Sequence, residues 1–130
     1  MELIKVIFGS MATFFIYLLG GIDVALISLI IVMALDYLTG ILKAIKKKKL
    51  NSKTGISGIL KKIGILCLVA LSVVIDHLTG DSGFIRTMVI YYLVANEGLS
   101  IIENLGEMDV LIPDILKEKL EQLKDKDSDW

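Results

Sequence analysis

The chain has 130 residues with a formal net charge of −1, and 55% of them are hydrophobic; its mean hydropathy is +0.73. A soluble domain of this size keeps a large polar surface, so this composition indicates a membrane protein and argues against a water-soluble fold. The small net charge excludes the basic field typical of nucleic-acid-binding domains. A single cysteine, Cys67, excludes an intramolecular disulfide.

The first apolar segment, 6–22, is a charge-free run between Lys5 and Asp23. Its length is near the lower limit of the roughly 17–25 residues that a spanning helix needs. A secretory signal peptide also begins with a base before an apolar run, but this segment lacks a convincing small-residue cleavage site. Another apolar segment follows at once, after a tight connection at residues 20–23. We therefore predict a retained first span.

The second apolar segment, 24–45, contains one acidic residue, Asp36, which lies toward its C-terminal, lysine-rich end, where the cost of inserting a charge falls. Steps of three and four residues place Asp36, Gly40 and Lys43 on one helical face. A carboxylate near the centre of a spanning helix costs about 2.5–3.5 kcal/mol on insertion, so Asp36 is expected to face a partner or water. Pairing with Lys43 or Lys62 and a pore-lining position both fit this expectation.

The segment 43–62 holds eight of the fourteen basic residues and has long apolar runs on both sides. Lysines crowded at the ends of apolar segments mark the cytoplasmic side of a membrane. The lysines expected to fix this orientation and to contact anionic lipid headgroups are Lys46, Lys47, Lys48, Lys49, Lys53, Lys61 and Lys62. Residues 51–55 are typical of a turn in which Ser52 or Thr54 caps a new helix.

Two further spans are predicted at 59–78 and 84–105, joined by a short exterior turn. The last span is the least hydrophobic, and its polar residues fall on one helical face; they are Asn96, Glu97, Ser100, Glu103 and Asn104. We predict that this face, together with Asp36 and Lys43, is intramembrane and lines a pore. Glycines that allow close helix packing are predicted at Gly40, Gly64 and Gly98. The lone His77 has no partner for a metal site, so no metal or catalytic centre is expected.

The chain changes character at residue 107, so we divide it into a transmembrane helical domain, 1–106, and a cytoplasmic part, 107–130. Pro113 followed by Asp114 favours a helix start. The helix that follows is amphipathic and acidic, which disfavours anionic lipid and favours pairing with a neighbouring chain. Residues 125–130 are predicted to be a solvated tail.

The predicted fold class is an all-α membrane protein with four transmembrane helices and a short cytoplasmic amphipathic C-terminal helix. The lysine-rich segment 43–62 is called the basic loop below. Placing it in the cytoplasm fixes the orientation of the second and third spans. The first and fourth spans then leave both termini inside, an N-in/C-in topology.

Three motifs carry a resemblance to a known family: LDYLTG at 35–40, NSKTGISGILKK at 51–62 and NEGLSIIEN at 96–104. With IPDIL at 112–116, they resemble the toxin-secretion/phage-lysis holin family of Gram-positive phages and clostridia, in one register from about residue 24 to 126. The resemblance implies a homo-oligomer that makes lesions or pores in the cytoplasmic membrane. An endolysin, or in some clostridia a large toxin, crosses there as cargo. The family has no enzymatic activity and needs no cofactor, and its partners are other copies, lipids and cargo, with no nucleic acid.

Two other classes of protein remain open. A small four-helix transporter would use a membrane-embedded carboxylate in an early helix, and the first span here has none. A non-permeating scaffold would act through its C-terminal helix. An enzyme is not expected, because the sequence shows no nucleophile–base pair and no metal cluster.

Overall fold

The computed structural model describes residues 1–80 and 82–128, which form five α-helices and, over those ranges, no strand. The helices are α1 (Glu2–Leu18), α2 (Val24–Lys46), α3 (Ser52–Thr79), α4 (Phe84–Gly106) and α5 (Asp114–Ser128). The predicted all-helical class is confirmed. Helices α2, α3 and α4 are long and apolar enough to cross a membrane. The fourth span and the orientation stay predictions.

The connection between α1 and α2 is short because two glycines reverse the chain. Gly20 and Gly21 have φ values of 85° and 98°, a left-handed conformation that glycine adopts without strain. Asp23 then caps α2, since its carboxylate accepts a hydrogen bond from the Leu26 N–H at 2.9 Å. The tight connection predicted at residues 20–23 is therefore present.

Helix α3 begins seven residues before the predicted third span. Its cap is Asn51, whose side chain accepts a hydrogen bond from the Thr54 N–H at 2.8 Å. The predicted caps, Ser52 and Thr54, were wrong, because both residues already lie within the helix. Asn51 itself has the extended backbone that a capping residue needs.

The central helix of the fold is α4, which packs against α2, α3 and α5, whereas α2 and α3 meet only sparsely. A small apolar core joins the three candidate spans, and its buried members are Leu29, Met33, Val69, Ile90 and Leu93. Most other large apolar side chains of these helices are exposed. This outward-facing apolar surface is what a helix bundle in lipid presents.

The end of the bundle opposite the basic loop is closed by a polar clasp centred on Arg86. The guanidinium donates to the Leu19 and Gly21 carbonyls at 2.7 and 3.0 Å, and to Asp23 at 2.7 Å. The Asp76 carboxylate of α3 accepts hydrogen bonds at 2.9 Å from the backbone N–H groups of residues 85 and 86. It thus caps α4, whose own capping position is a glycine without a side chain.

The two terminal helices differ in how they meet the bundle. No residue of α1 is buried. In contrast, α5 folds back along α4, with Leu120 beside Gly98 and the Lys124 ammonium 5.6 Å from the Tyr92 ring centre. In the single chain this helix packs on its own α4, and its pairing with a neighbouring chain stays a prediction.

The predicted C-terminal tail is also shorter than expected, because α5 continues to Ser128. Residues 129 and 130, and residue 81 of the predicted exterior turn, lie outside the described residues.

Candidate functional site

Each of the three candidate spans contributes one ionisable side chain to a buried ion cluster formed by Asp36, Lys62 and Glu97. The Lys62 ammonium donates to Glu97 Oε2 at 2.9 Å and also to Asp36 Oδ2. Asp36 is 9% exposed and Glu97 is 3% exposed. Lys62 therefore joins α3 to both α2 and α4 in a region where α2 and α3 otherwise have few contacts.

The ion cluster lies at one depth in the bundle. Its members are nine or ten residues from the ends of their helices at the basic loop, which at 1.5 Å per residue is about 15 Å. The hydrocarbon core of a bilayer is about 30 Å thick. The first turns of α3 precede its apolar run, so in helices that cross the membrane the cluster lies between the basic end and the bilayer centre, where a paired charge is the expected arrangement.

The charges in the cluster do not balance, because two carboxylates share one ammonium. Glu97 Oε1 has no hydrogen-bond partner within the described part of the chain. Burying a charge costs several kcal/mol unless pairing and hydrogen bonds compensate. With both carboxyl groups ionised, the closed bundle would hold an under-compensated negative charge in its interior.

A second polar layer lies next to the cluster on the side of the basic loop. The Asn104 amide donates to Thr39 Oγ1 at 3.0 Å and to Asp36 Oδ1 at 3.3 Å. Thr39 donates to the Asp36 carbonyl at 3.1 Å. Asn104 and Thr39 are both buried, so these bonds hold α2 and α4 together through polar groups.

A cavity of about 540 Å³ leads from the basic loop to the ion cluster, between the C-terminal part of α2 and the first turns of α3. Its wall includes Asp36 and Lys62 of the cluster and Ser100 of α4. Four more lysines line it, namely Lys43, Lys47, Lys49 and Lys61. The route from the basic end to the buried charges thus passes several lysines, although most of its wall is apolar.

The structure divides the residues that were predicted to line a pore. The five that face the inside of the bundle or its cavity are Asp36, Lys43, Glu97, Ser100 and Asn104. Asn96 and Glu103 are exposed on α4. The polar residues of α4 therefore lie partly in the interior of the bundle and partly on its outer surface.

The loop after α4 neutralises part of the basic loop. The Glu107 carboxylate forms ion pairs with Lys43 at 3.0 Å and with Lys47 at 3.4 Å. Asp109 forms an ion pair with Lys46 at 2.9 Å. Hydrogen bonds from Lys43 and then Lys47 lower the pKa of Glu107, and Lys46 lowers the pKa of Asp109. Lys43, predicted to line a pore, lies in this surface network as well as on the cavity wall.

The remaining lysines of the predicted headgroup set also divide. Those exposed at the surface are Lys48, Lys49, Lys53 and Lys61. Lys62 instead turns into the bundle, because two carboxylates at its depth attract the ammonium. The headgroup role that the sequence suggested for Lys62 does not fit this position.

The glycines predicted to allow close packing have different surroundings. A Cβ at Gly40 would meet Asn104 at an ordinary 3.7 Å, and one at Gly64 would meet nothing within 4 Å. Gly98 is the tight position, where a Cβ would lie 2.6 Å from Leu120 of α5. The neighbour of Gly98 is thus the C-terminal helix.

The polar clasp of Asp76 and Arg86 was not predicted from the sequence. The available signal was their position, since an ionisable residue next to or within an apolar segment usually has a specific partner. Within the described residues, no group of three or more His, Cys, Asp or Glu side chains is arranged to hold a metal ion.

Three apolar helices around a buried ion cluster, with lysines crowded at one end, define a small polytopic helical membrane protein. Residues 13–125 match the bacteriophage holin family, and the chain belongs to that family. The predicted resemblance is thus confirmed at the level of the holin family, which is not an enzyme family.

The relatives come from Gram-positive bacteria and a phage. A protein of Bacillus phage phi105 named "probable holin" is 33% identical over 80% of this chain and 76% of its own length. An uncharacterised 14.9 kDa protein of Clostridium perfringens is 41% identical, covering 90% of this chain and 89% of its own length. An uncharacterised Listeria monocytogenes protein is 40% identical, covering 78% and 72% respectively. No solved structure matches the chain.

Proposed function

We propose that this holin-type protein oligomerises in the cytoplasmic membrane and forms lesions large enough for a folded cargo, an endolysin or a large toxin, to cross. Membership of the holin family supports the general function. The observation that carries the specific proposal is the buried ion cluster, because it stores charged groups inside an otherwise apolar bundle.

The cluster gives the chain two ways to satisfy its charges. In the single chain, Lys62 pairs with Asp36 and Glu97 and the charges are hidden from lipid. In an assembly, α3 moves away from α2, water enters along the cavity, and the polar side chains line the opening. Apart from the Lys62–Asp36 pair, few contacts join α2 to α3, so little packing opposes this separation. Hydration of the unpaired Glu97 oxygen favours the open arrangement.

The proposed orientation places the basic loop in the cytoplasm. The exposed lysines there, Lys48, Lys49, Lys53 and Lys61, contact anionic headgroups at about 1 kcal/mol each. This attraction holds the cavity mouth at the cytoplasmic surface, the side from which a cytoplasmic cargo arrives.

The proposal is tested with purified protein in liposomes that contain a small dye and a folded protein of tens of kilodaltons. Release of both is expected. Release of the dye alone would show a narrow channel and contradict a lesion for folded cargo. Release of neither, with insertion verified, would contradict permeation altogether.

The role of the cluster is tested with Glu97→Gln. The substitution removes the under-compensated charge, which stabilises the closed bundle and makes the lining less polar. We expect release of the folded protein to slow by about tenfold or more, since a buried charge without full compensation costs several kcal/mol. Glu2→Gln is the matched control, because the Glu2 side chain is 89% exposed on α1. Equal release by both variants would remove Glu97 from the mechanism.

A further inference from the structure

A second cavity, of about 460 Å³, adjoins the one that leads to the ion cluster. The two cavities share lining residues, among them Tyr37, Ile41 and Leu50. The second cavity also has Ile56 and Ile59 of α3 in its wall, and both of these side chains are exposed. No charged residue lines it within the described part of the chain. The pair of cavities therefore opens to the outside of the bundle through an apolar groove.

The first cavity carries an excess of positive charge. The five lysines that line it are Lys43, Lys47, Lys49, Lys61 and Lys62. The carboxylates that pair with lysines of this set are Asp36, Glu97 and Glu107. Over residues 1–80 and 82–128, Lys49 and Lys61 form no ion pair. Two ammonium groups at the cavity are thus left for an anion from outside the chain.

The groove lies at the depth where lipid headgroups meet acyl chains. Ile41 is five residues before the end of α2, and Ile59 is seven residues after the start of α3. At 1.5 Å per residue these positions are about 8–11 Å from the basic loop. The headgroup layer on each side of the hydrocarbon is about 5–8 Å thick. With the basic loop at the membrane surface, its lysines lie among headgroups and the groove begins where the hydrocarbon begins.

We propose that the two adjoining cavities form a binding site for one phospholipid whose headgroup carries a net negative charge. The phosphate pairs with Lys49 and Lys61. One acyl chain lies in the groove beside Ile41, Ile56 and Ile59. Basic pockets between transmembrane helices on the cytoplasmic side bind anionic headgroups in this way. Each cavity is also within the roughly 300–1,000 Å³ of small-molecule sites.

The charge and shape of the site favour an anionic lipid over two other occupants. A soluble phosphate compound would pair with the lysines but would leave the apolar groove unfilled. A zwitterionic lipid would fill the groove but would bring its own cation to a site that already has an excess of ammonium groups. Only an anionic headgroup joined to an acyl chain satisfies both parts.

This inference rests on the proposed function for the placement of the basic loop at a membrane surface. It adds one saturable site to the general attraction between exposed lysines and anionic headgroups. The bound lipid contacts both α2 and α3, two helices that otherwise have few contacts with each other.

The site is tested by photo-cross-linking in phosphatidylcholine vesicles that contain a small fraction of phosphatidylglycerol with a photoreactive acyl chain. We expect labelling of the wild-type chain to saturate and to be displaced by unlabelled phosphatidylglycerol. Labelling that rises in proportion to the probe without saturation would overturn a discrete site. Equal displacement by glycerol 3-phosphate, the headgroup without chains, would show that a soluble phosphate compound is the ligand and would overturn the lipid.

The lysine assignment is tested with the double variant Lys49→Gln and Lys61→Gln. We expect its affinity for the probe to fall by about tenfold or more, because each lysine near an anionic headgroup contributes to binding. The matched control is Lys48→Gln with Lys53→Gln, which removes the same charge from exposed positions outside both cavities. An equal loss of affinity in the two variants would show general surface attraction and would overturn the site.

A cavity-filling variant tests the location without changing charge. Ala44 lines the first cavity, so Ala44→Phe is expected to reduce saturable labelling by about tenfold or more. Ile45→Phe is the matched control, because Ile45 is exposed and lines neither cavity. Detergent unfolding of both variants shows that they are folded. Undiminished labelling of folded Ala44→Phe would place the lipid elsewhere and would overturn the site.

These readouts do not depend on permeation. Saturable lipid labelling by a chain that releases neither dye nor protein would support the site while contradicting the proposed function. Release of both cargoes by wild type without saturable labelling would overturn the site while leaving the proposed function standing.

Discussion

At the scale of single residues, the Arg86 clasp depends on the absence of a side chain at Gly20. A Cβ there would lie 2.5 Å from the Arg86 Nε and 2.7 Å from its Cδ, whereas one at Gly21 would meet nothing within 4 Å. Both glycines have positive φ, so alanine at either position carries roughly 1–2 kcal/mol of backbone strain. Only Gly20→Ala also displaces the guanidinium.

We therefore expect Gly20→Ala to lower the free energy of unfolding by about 1–3 kcal/mol more than Gly21→Ala does, the range for hydrogen bonds to a charged group. The measurement is unfolding by sodium dodecyl sulfate in mixed micelles, followed by circular dichroism. Gly21→Ala is the matched control for strain. Identical midpoints for the two variants would show that the clasp does not stabilise the fold.

The same clasp predicts a pH dependence through Asp23. Its hydrogen bonds from Arg86 lower the pKa of Asp23 below the ordinary value of 3.8. The stabilisation is thus fully present above pH 3.8 and is lost as the pH falls through the lower folded-state pKa. Because the Asp23 side chain is 49% exposed, solvent screening keeps the effect below about 1 kcal/mol.

The test compares wild type with Asp23→Asn, so that the titration of other acids cancels. We expect wild type to be the more stable at pH about 6 and the difference to shrink as the pH falls below 3.8 and through the lower folded-state pKa of Asp23. A difference that stays constant over this range would exclude Asp23 as the titrating group.

Single-residue features were only partly predictable from the sequence. Asp36 and Glu97 were recognisable because a carboxylate within an apolar segment needs a partner. The sequence left open whether Lys62 or Lys43 pairs with Asp36, since either lysine could reach the carboxylate. That choice depends on how α3 sits against α2 and α4, which no local pattern encodes. The sequence also gave no reason to separate Asn96 and Glu103 from the inward-facing residues.

At the scale of helices, Lys62 is the main polar link between α3 and its neighbours. Replacing it by methionine leaves Asp36 and Glu97 close together in the bundle without a cation. Removing one partner of a buried ion pair typically costs about 3–5 kcal/mol. We expect Lys62→Met to destabilise the bundle by an amount of this order in detergent unfolding, and Lys61→Met, at the exposed neighbouring position, to change it little.

A further variant tests whether the stability lost in Lys62→Met is due to the unpaired charges. Combining Lys62→Met with Asp36→Asn and Glu97→Gln removes all three charges, and we expect it to recover most of the lost stability. Failure of this variant to recover, with Lys61→Met unaffected, would show that the Lys62 side chain acts through packing.

The helix boundaries were predictable to different extents for physical reasons. Helices α2 and α4 begin at the predicted residue and end one residue late, because charges and glycines bracket their apolar runs. Helix α3 starts earlier than its apolar run because its first turns carry lysines and are stabilised by the Asn51 cap. The packing of α5 on α4 was not predictable, since it depends on a long-range contact at Gly98.

At the scale of the whole molecule, the position of α1 decides between three and four spans. Helix α1 is 17 residues long, or about 25 Å, slightly less than the roughly 30 Å of hydrocarbon. None of its residues is buried against the bundle, so packing does not fix its place. With the basic loop inside, α2 starts outside; the N-terminus is then inside only if α1 also crosses.

Membrane-impermeant maleimide labelling of intact cells distinguishes these topologies, with single cysteines in the Cys67→Ser background. Ser82→Cys, in the turn between α3 and α4, is expected to label, whereas Lys49→Cys in the basic loop is not. Glu118→Cys on α5 is expected to stay unlabelled until the cells are opened. These three positions calibrate the assay, because they depend only on α2, α3 and α4.

Glu2→Cys then reports on α1, and we expect it to be protected like Lys49→Cys because an apolar helix gains more by crossing the bilayer than by lying exposed to water. Labelling of Glu2→Cys from outside, with the calibrating positions unchanged, would reduce the number of spans to three. Partial labelling that increases as the cells begin to leak would instead mean that α1 leaves the membrane during assembly. In that case the first helix, none of whose residues is buried against the bundle, itself moves when the lesion forms.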